Sequence, residues 1–396
     1  MNEHQLVLDP ANVPLSLYVH IPWCVKKCPY CDFNSHALSA DHQPSFAQYT
    51  QALMADIKGQ LDFVQGRSIG SVFFGGGTPS VLPVEYLAKL LGVLQEVLVF
   101  DDDVEITLEA NPGTLEHAPF AKYLALGINR LSIGVQSFND AALKALGRIH
   151  NKDEATSAIK KAVQAGFKRV NVDLMYGLPN QTPQLALQDI NTAIAAGATH
   201  LSWYQLTIEP NTNFYRTPPT LPDEDTLGAI EEQGKRLLTQ AGFCNYEVSA
   251  WVGANDVPCK HNVNYWQFGD YLAIGAGAHG KVTLRHHPQF ADGVYRFYKS
   301  RLPKDYLTYD THPKMVKFAK VAEEHLPFEF MMNALRLANG VSVATFEART
   351  GLLISTIDNE LLPLQHQGFM VFDPAILAPT KMGFRYVNHL VSAFLN

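Results

Sequence analysis

A chain of 396 residues with 47% hydrophobic and 17% charged residues can bury one large domain plus a smaller one, which excludes general disorder. Its net charge of −7 and pI near 6.1 offer no overall basic field to nucleic acid. No apolar run reaches bilayer-spanning length, and the opening MNEHQLVLDPANVP has no basic-then-apolar pattern, so the expectation is a cytoplasmic protein with reduced thiols.

Residues 1–14 read as an N-terminal tail. A buried strand over 16–21 then runs into a loop carrying Cys24, Cys28 and Cys31, and helical apolar spacing covers 45–63 (Phe46, Tyr49, Leu53, Ile57, Leu61). A strand at 71–74 ends in Gly75, Gly76, Gly77, Thr78 and Pro79, followed by a helix over 84–98. A strand at 104–109 ends in EANPG before a helix near 119–126, and one at 130–135 ends at Gln136 before a helix at 140–146. A helix at 153–165 leads to a strand at 169–175 that stops at YGLP, and a helix at 183–196 leads to a strand at 200–206. Six strands alternate with helices at roughly thirty to thirty-five residues per unit, in the manner of β-α crossovers. They are largely apolar, as parallel strands covered on both faces are. Six units are too few to close an eight-stranded barrel, so the expected architecture is α/β, a partial (β/α)6 TIM-like barrel over 15–210, with a doubly wound sheet as the alternative. Polar and glycine-rich residues follow the strands' C-terminal ends, where such folds place their sites.

From Asn211 the rhythm breaks. A proline-rich stretch and a helix over 223–240 precede two further strands, 246–250 and 271–275, and HNVNYW lies between those strands in an extension spanning 211–310. Residues 311–396 predict helices at 315–337, 343–349, 354–365 and 381–394 with a hairpin at 369–375, a C-terminal helical domain resembling a winged helix. From Lys314 onward there are seven basic and seven acidic residues, a balance that argues against DNA and for a packing or partner role.

Three cysteines at C-x3-C-x2-C spacing can wrap one inorganic centre, and three thiolates on a four-iron cluster leave one iron open. A structural zinc would want a fourth ligand, for which His36 is the near candidate, and a disulfide would leave one cysteine over. Cys244 and Cys259 stand alone and read as buried thiols. Glycines at Gly76 and Gly77, beside Thr78, let a backbone approach a ligand with its amides exposed, or simply make a strand-to-helix turn. Glu109 sits at a strand end, able to accept from an ammonium or hydroxyl. Gln136, Arg148 and Asp173 follow apolar strands, where Arg148 offers a planar fork for a carboxylate and Asp173 can receive ribose hydroxyls. Tyr18 either faces the same pocket or packs in the core. His261, Asn262, Tyr265 and Trp266 can supply an axial nitrogen beside flat aromatic walls for a porphyrin, or anchor a loop.

Taken together, HIPWCVKKCPYCDF, FFGGGTPS, LEANPG, RLSIGVQSF, DLMYGLP, YQLTIEPNT and EHLPFEFMMNALRL resemble the HemN/HemW branch of radical S-adenosylmethionine (SAM) proteins, from about Leu15 to the C-terminal helices. The resemblance implies a [4Fe-4S] cluster on Cys24, Cys28 and Cys31, with SAM contacting Tyr18, Gly76, Gly77, Thr78, Glu109, Gln136, Arg148 and Asp173. Oxidases of this branch, which decarboxylate coproporphyrinogen III, carry a fourth cysteine two residues after the third, where this chain has Phe33. HemW-type members lack that cysteine and carry HNxxYW, matched by His261, Asn262, Tyr265 and Trp266. The resemblance therefore implies a haem chaperone that binds haem at that motif and passes it to acceptor proteins, with an electron donor serving the cluster. The alternative it leaves is an oxygen-independent coproporphyrinogen III oxidase or another enzyme that cleaves SAM to a radical.

Overall fold

The fold, given by a computed structural model, is described for residues 6–38, 44–113, 120–308 and 314–395. The expected strands form as β1 (Leu15–Ile21), β2 (Ile69–Gly76), β3 (Phe100–Ala110), β4 (Arg130–Gln136), β5 (Arg169–Tyr176) and β6 (His200–Gln205), each parallel to the next. Leu17, Val19 and Ile21 of β1 are completely buried, as a strand between two helical layers requires. Burial of each such side chain contributes about 1.5–3 kcal/mol.

The covering helices follow their periodicity. Helix Val84–Val97 buries Leu87, Leu90, Leu91 and Leu94, one face at helical spacing. Helix Lys152–Gln164 starts with a capping box between Asn151 and Glu154. Helix Pro183–Ala196 starts with Thr182 as cap and Pro183 in its first turn, and ends at Gly197, whose φ of +107° only glycine adopts without strain. The helix expected over 45–63 spans Phe46–Lys58 and tightens into a 3-10 turn at Leu61–Phe63. Helix Phe120–Ala125 matches the expectation near 119–126, although Pro119 lies outside the described residues.

The sheet continues on both sides of this core. On one edge β8 (Ala250–Val252) pairs antiparallel with β6, and β7 (Cys244–Asn245) pairs antiparallel with β8. On the other, β9 (Asp270–Ile274) lies parallel to β1, with Leu15 opposite Asp270, and β10 (His279–Leu284), β11 (Gly293–Tyr298) and β12 (Lys317–Lys320) extend it antiparallel. The described sheet thus has the order β12-β11-β10-β9-β1-β2-β3-β4-β5-β6-β8-β7. The six expected parallel strands are all present, and the extension adds a further strand, β9, parallel to β1.

Asp270 explains how β9 is held. Fully buried, it accepts from Arg67 at 2.7 Å, from Lys281 at 2.8 Å and from the backbone amide and hydroxyl of Thr283 at 2.6 and 3.0 Å. These cations hold its carboxyl below the usual range against the opposing effect of burial.

The C-terminal region departs further from expectation. Residues 315–337 are not one helix, since β12 pairs with β11 before helix Leu326–Ala334 begins. The hairpin expected at 369–375 forms with a longer return arm, Met370 bridging Pro379 antiparallel, and Ile376–Leu377 also pairs with Val341–Ser342. The last helix breaks at Tyr386 into Lys381–Arg385 and Val387–Ser392. Phe330, Phe346, Leu364 and Leu390 form the core of this region, and Phe268 and Val294 from the sheet side join it. The boundary expected near residue 310 lies outside the described residues.

Candidate cluster and cofactor site

Parallel strands deliver their C-terminal ends to one rim, and the cluster loop leaves β1 there. A short parallel pair, Trp23–Cys24 with His36–Ala37, closes the loop, and Lys27 donates to the carbonyls of Phe33 and Ser35 to hold it. Cys24, Cys28 and Cys31 are free thiols lining one cavity of about 140 Å³. Three thiols in one loop suit a cluster whose irons each take a single thiolate. Burial, then the neighbouring Cys31, pushes the Cys24 thiol up to about 11, so three thiolates here call for a bound cation. Elsewhere Cys259 is buried as expected, but Cys244 is exposed, on a β7 too short to cover it.

Gly76, Gly77, Thr78, Glu109, Gln136, Arg148 and Asp173 all line this same cavity. The expectation that the glycine segment exposes its amides is corrected. The Gly76 amide donates to Glu109, that of Gly77 to the Ile21 carbonyl at 2.8 Å and that of Thr78 to the Trp23 carbonyl at 2.7 Å. Its glycines answer to packing: a Cβ on Gly77 would stand 2.5 Å from the Trp23 oxygen, and one on Gly76, at φ +119°, 2.7 Å from the His20 ring.

Around the rim, polar groups are matched to apolar strands by alternation. Asp173 accepts from Asn171 at 2.7 Å and from Ser132 at 3.2 Å, while burial raises its carboxyl above the usual range. Glu109 is pushed up to about 8, first by burial and then by Asp173. Gln136 occupies the left-handed region at φ +74°, next to a register shift in β4, and its amide oxygen accepts from Tyr204 at 2.9 Å. Arg148 donates to Cys28 Sγ at 3.5 Å and to the Gly134 carbonyl, while its buried Nε has no hydrogen-bond partner among the described residues. Burial alone would lower the Arg148 pKa, but Tyr30 and Cys28 keep it raised. An unsatisfied guanidinium N–H beside paired carboxylates fits a zwitterionic ligand carrying its own carboxylate and ammonium.

Tyr18 does not line the cysteine cavity. It faces an adjoining one of about 520 Å³, which shares Gly76, Glu109 and the exposed Phe33 with the first. Its hydroxyl meets His20 Nδ1 at 3.0 Å, and the other His20 nitrogen meets the Asn34 carbonyl at 2.9 Å. HNVNYW forms helix Lys260–Trp266. His261 is 4% exposed, stacked on Phe73 at 4.4 Å and beside Tyr18, and burial lowers its pKa to about 3. Tyr265 lines the larger cavity. Asn262 reaches the Tyr246 hydroxyl at 3.5 Å, and Trp266 packs against the C-terminal core with Arg336 over its ring. Sequence reading missed Tyr30, Ser132 and Tyr204 of the first cavity and His279 and Arg301 of the second. Ser132 and Tyr204 share the two-residue alternation of Asn171 and Asp173, a signal that was present.

Residues 18–193 match the radical SAM superfamily and 321–386 the HemN C-terminal domain. The chain is 48% identical to a heme chaperone HemW of Haemophilus influenzae over 98% of its length and 99% of the relative's. It is 45% identical to a heme chaperone HemW of Escherichia coli, covering 96% and 98% of the two chains. Its fold matches that of the coproporphyrinogen III oxidase HemN from Escherichia coli with a TM-score of 0.80 at 23% identity, covering 99% and 94% of the two chains. On this near full-length similarity the chain belongs to the HemW family of radical SAM proteins.

Proposed function

We propose that this protein is a haem carrier that binds haem and hands it to acceptor proteins, with a [4Fe-4S] cluster and a SAM site on its barrel rim. The observation that carries the reading is the 48% identity, across nearly the whole of both chains, to a protein named a heme chaperone. Cys24, Cys28 and Cys31 would hold the cluster. Arg148 would meet the SAM carboxylate through its unpaired Nε, Glu109 the ammonium, and Asp173, already fixed by Asn171 and Ser132, the ribose hydroxyls. Gln136 and the Gly76–Thr78 strand end would border the methionyl part, the latter through carbonyls because its amides are engaged. A bound cluster supplies an electron to SAM in this superfamily, and an electron donor would then be a partner. Phe33, exposed between the two cavities, stands where the branch's oxidases carry a further cysteine, and supports the carrier over the oxidase.

Haem would occupy the 520 Å³ cavity, within the range of cofactor sites, with Tyr18 and Tyr265 as walls. His261 backs that wall, and ligation by it would require its ring to leave Phe73. No described helix is long and apolar enough to cross a membrane. The test is transfer: haem-loaded protein mixed with apomyoglobin should lose its haem to the acceptor, and complete retention would refute the carrier reading.

A further inference from the structure

The 520 Å³ cavity does not end at the barrel. It adjoins a groove of about 610 Å³ that runs between β10, β11 and β12 and the C-terminal region, and His279 belongs to the lining of both. His279 opens β10 with its ring partly covered at the cavity rim, and packs against Tyr298 at 5.6 Å. Among the described residues its ring nitrogens form no hydrogen bond, a property it shares with the buried His261, whereas both nitrogens of His20, His150 and His200 are engaged. Burial, then Arg301 and Arg296, lowers its pKa, which keeps the ring neutral and able to ligate. Arg301 lines the inner cavity and Lys317 the outer groove, and neither pairs with a carboxylate among the described residues.

We propose that His279 is the axial ligand to haem iron in this protein, with the macrocycle at the junction of the two cavities and Arg301 meeting a propionate. This deepens the carrier reading and rests on it. An open imidazole, aromatic walls and an unpaired guanidinium are the three groups that a ferric porphyrin dicarboxylate requires. No such combination surrounds His261, whose ring is enclosed by Phe73, Tyr18 and Tyr265.

The same geometry joins the haem site to the cluster loop. Asn34, three residues beyond Cys31, donates to the Ala276 carbonyl at 3.0 Å and the Arg301 carbonyl at 2.9 Å. Ala276 lies in the turn that presents His279, where Gly277 holds φ +86°. Two hydrogen bonds thus tie the cluster loop to the turn before His279 and to Arg301.

The test titrates anaerobically reconstituted full-length protein with ferric haem and follows the Soret band for wild type, His279→Ala, His261→Ala and Arg301→Gln. His279→Ala should shift the band and weaken binding at least tenfold, and free imidazole should restore the wild-type band. Arg301→Gln should weaken binding severalfold without moving the band, and His261→Ala should leave the band in place. An unmoved band in His279→Ala, with haem bound by wild type, overturns the assignment alone. Absence of haem binding by wild type overturns the carrier reading and the assignment together. Far-UV circular dichroism checks that each variant folds, and restoration by imidazole separates ligand loss from misfolding.

Discussion

Asp270→Asn removes the charge that ties β9 to its neighbours and leaves Arg67 and Lys281 buried beside a neutral amide. All three residues are nearly or fully buried, and both ion pairs are short, 2.7 and 2.8 Å. Stranding buried cations in this way costs about 3–5 kcal/mol. The pH dependence gives a second handle. Lys281, first through burial, titrates at about 8 in the folded chain, far below its unfolded value, so between those limits the unfolded state binds more protons and stability from this group rises with pH. In wild type the attraction to Asp270 is complete below about 8 and disappears as Lys281 loses its proton. The variant lacks that attraction throughout, so its deficit should shrink by about 1 kcal/mol between pH 7 and 9. Urea unfolding of both proteins at the two pH values measures this, and Asp270→Asn/Lys281→Met should recover part of the loss. A deficit below about 1 kcal/mol at pH 7, or one equal at both pH values, would refute the reasoning.

Two further outcomes concern the site. Because Glu109 titrates near 8, its acceptor form accumulates as pH rises, so SAM affinity should climb by up to about tenfold per unit below pH 8 and then level off. Glu109→Gln should flatten that profile in a calorimetric titration, and parallel slopes would remove Glu109 from the ammonium site. Gly77→Ala should cost about 1–3 kcal/mol and lower the iron and sulfide bound per chain, because its Cβ would meet the Trp23 carbonyl at 2.5 Å. Gly92→Ala, which meets nothing within 4 Å, serves as the control and should leave cluster content unchanged.

The strands β1 to β6 are legible because each is an apolar run stopped by proline, glycine, asparagine or glutamine, a local signal. The same punctuation marked Glu109, Gln136, Arg148 and Asp173, which do share one cavity with the cysteines. What was hidden is long-range. Pairing of Leu15 with Asp270 places β9 inside the parallel set, and no local pattern encodes that register. Residues 317–320 alternate weakly and fall within the helix expected over 315–337, since their strand is set by pairing to β11. Tyr18 lines the adjoining cavity rather than the cysteine cavity, and His20, two residues on, continues on its face toward Asn34. His261 illustrates the limit of motif reading: the residues are adjacent to aromatics, as the sequence says, yet in three dimensions the aromatics enclose the imidazole.

The central claim is tested most directly by reconstituting the cluster anaerobically and titrating the protein with haem, and separately with coproporphyrinogen III plus SAM and reductant. Stoichiometric haem binding without decarboxylation is the predicted result. Decarboxylated product without haem retention would contradict the account and make the protein an oxidase.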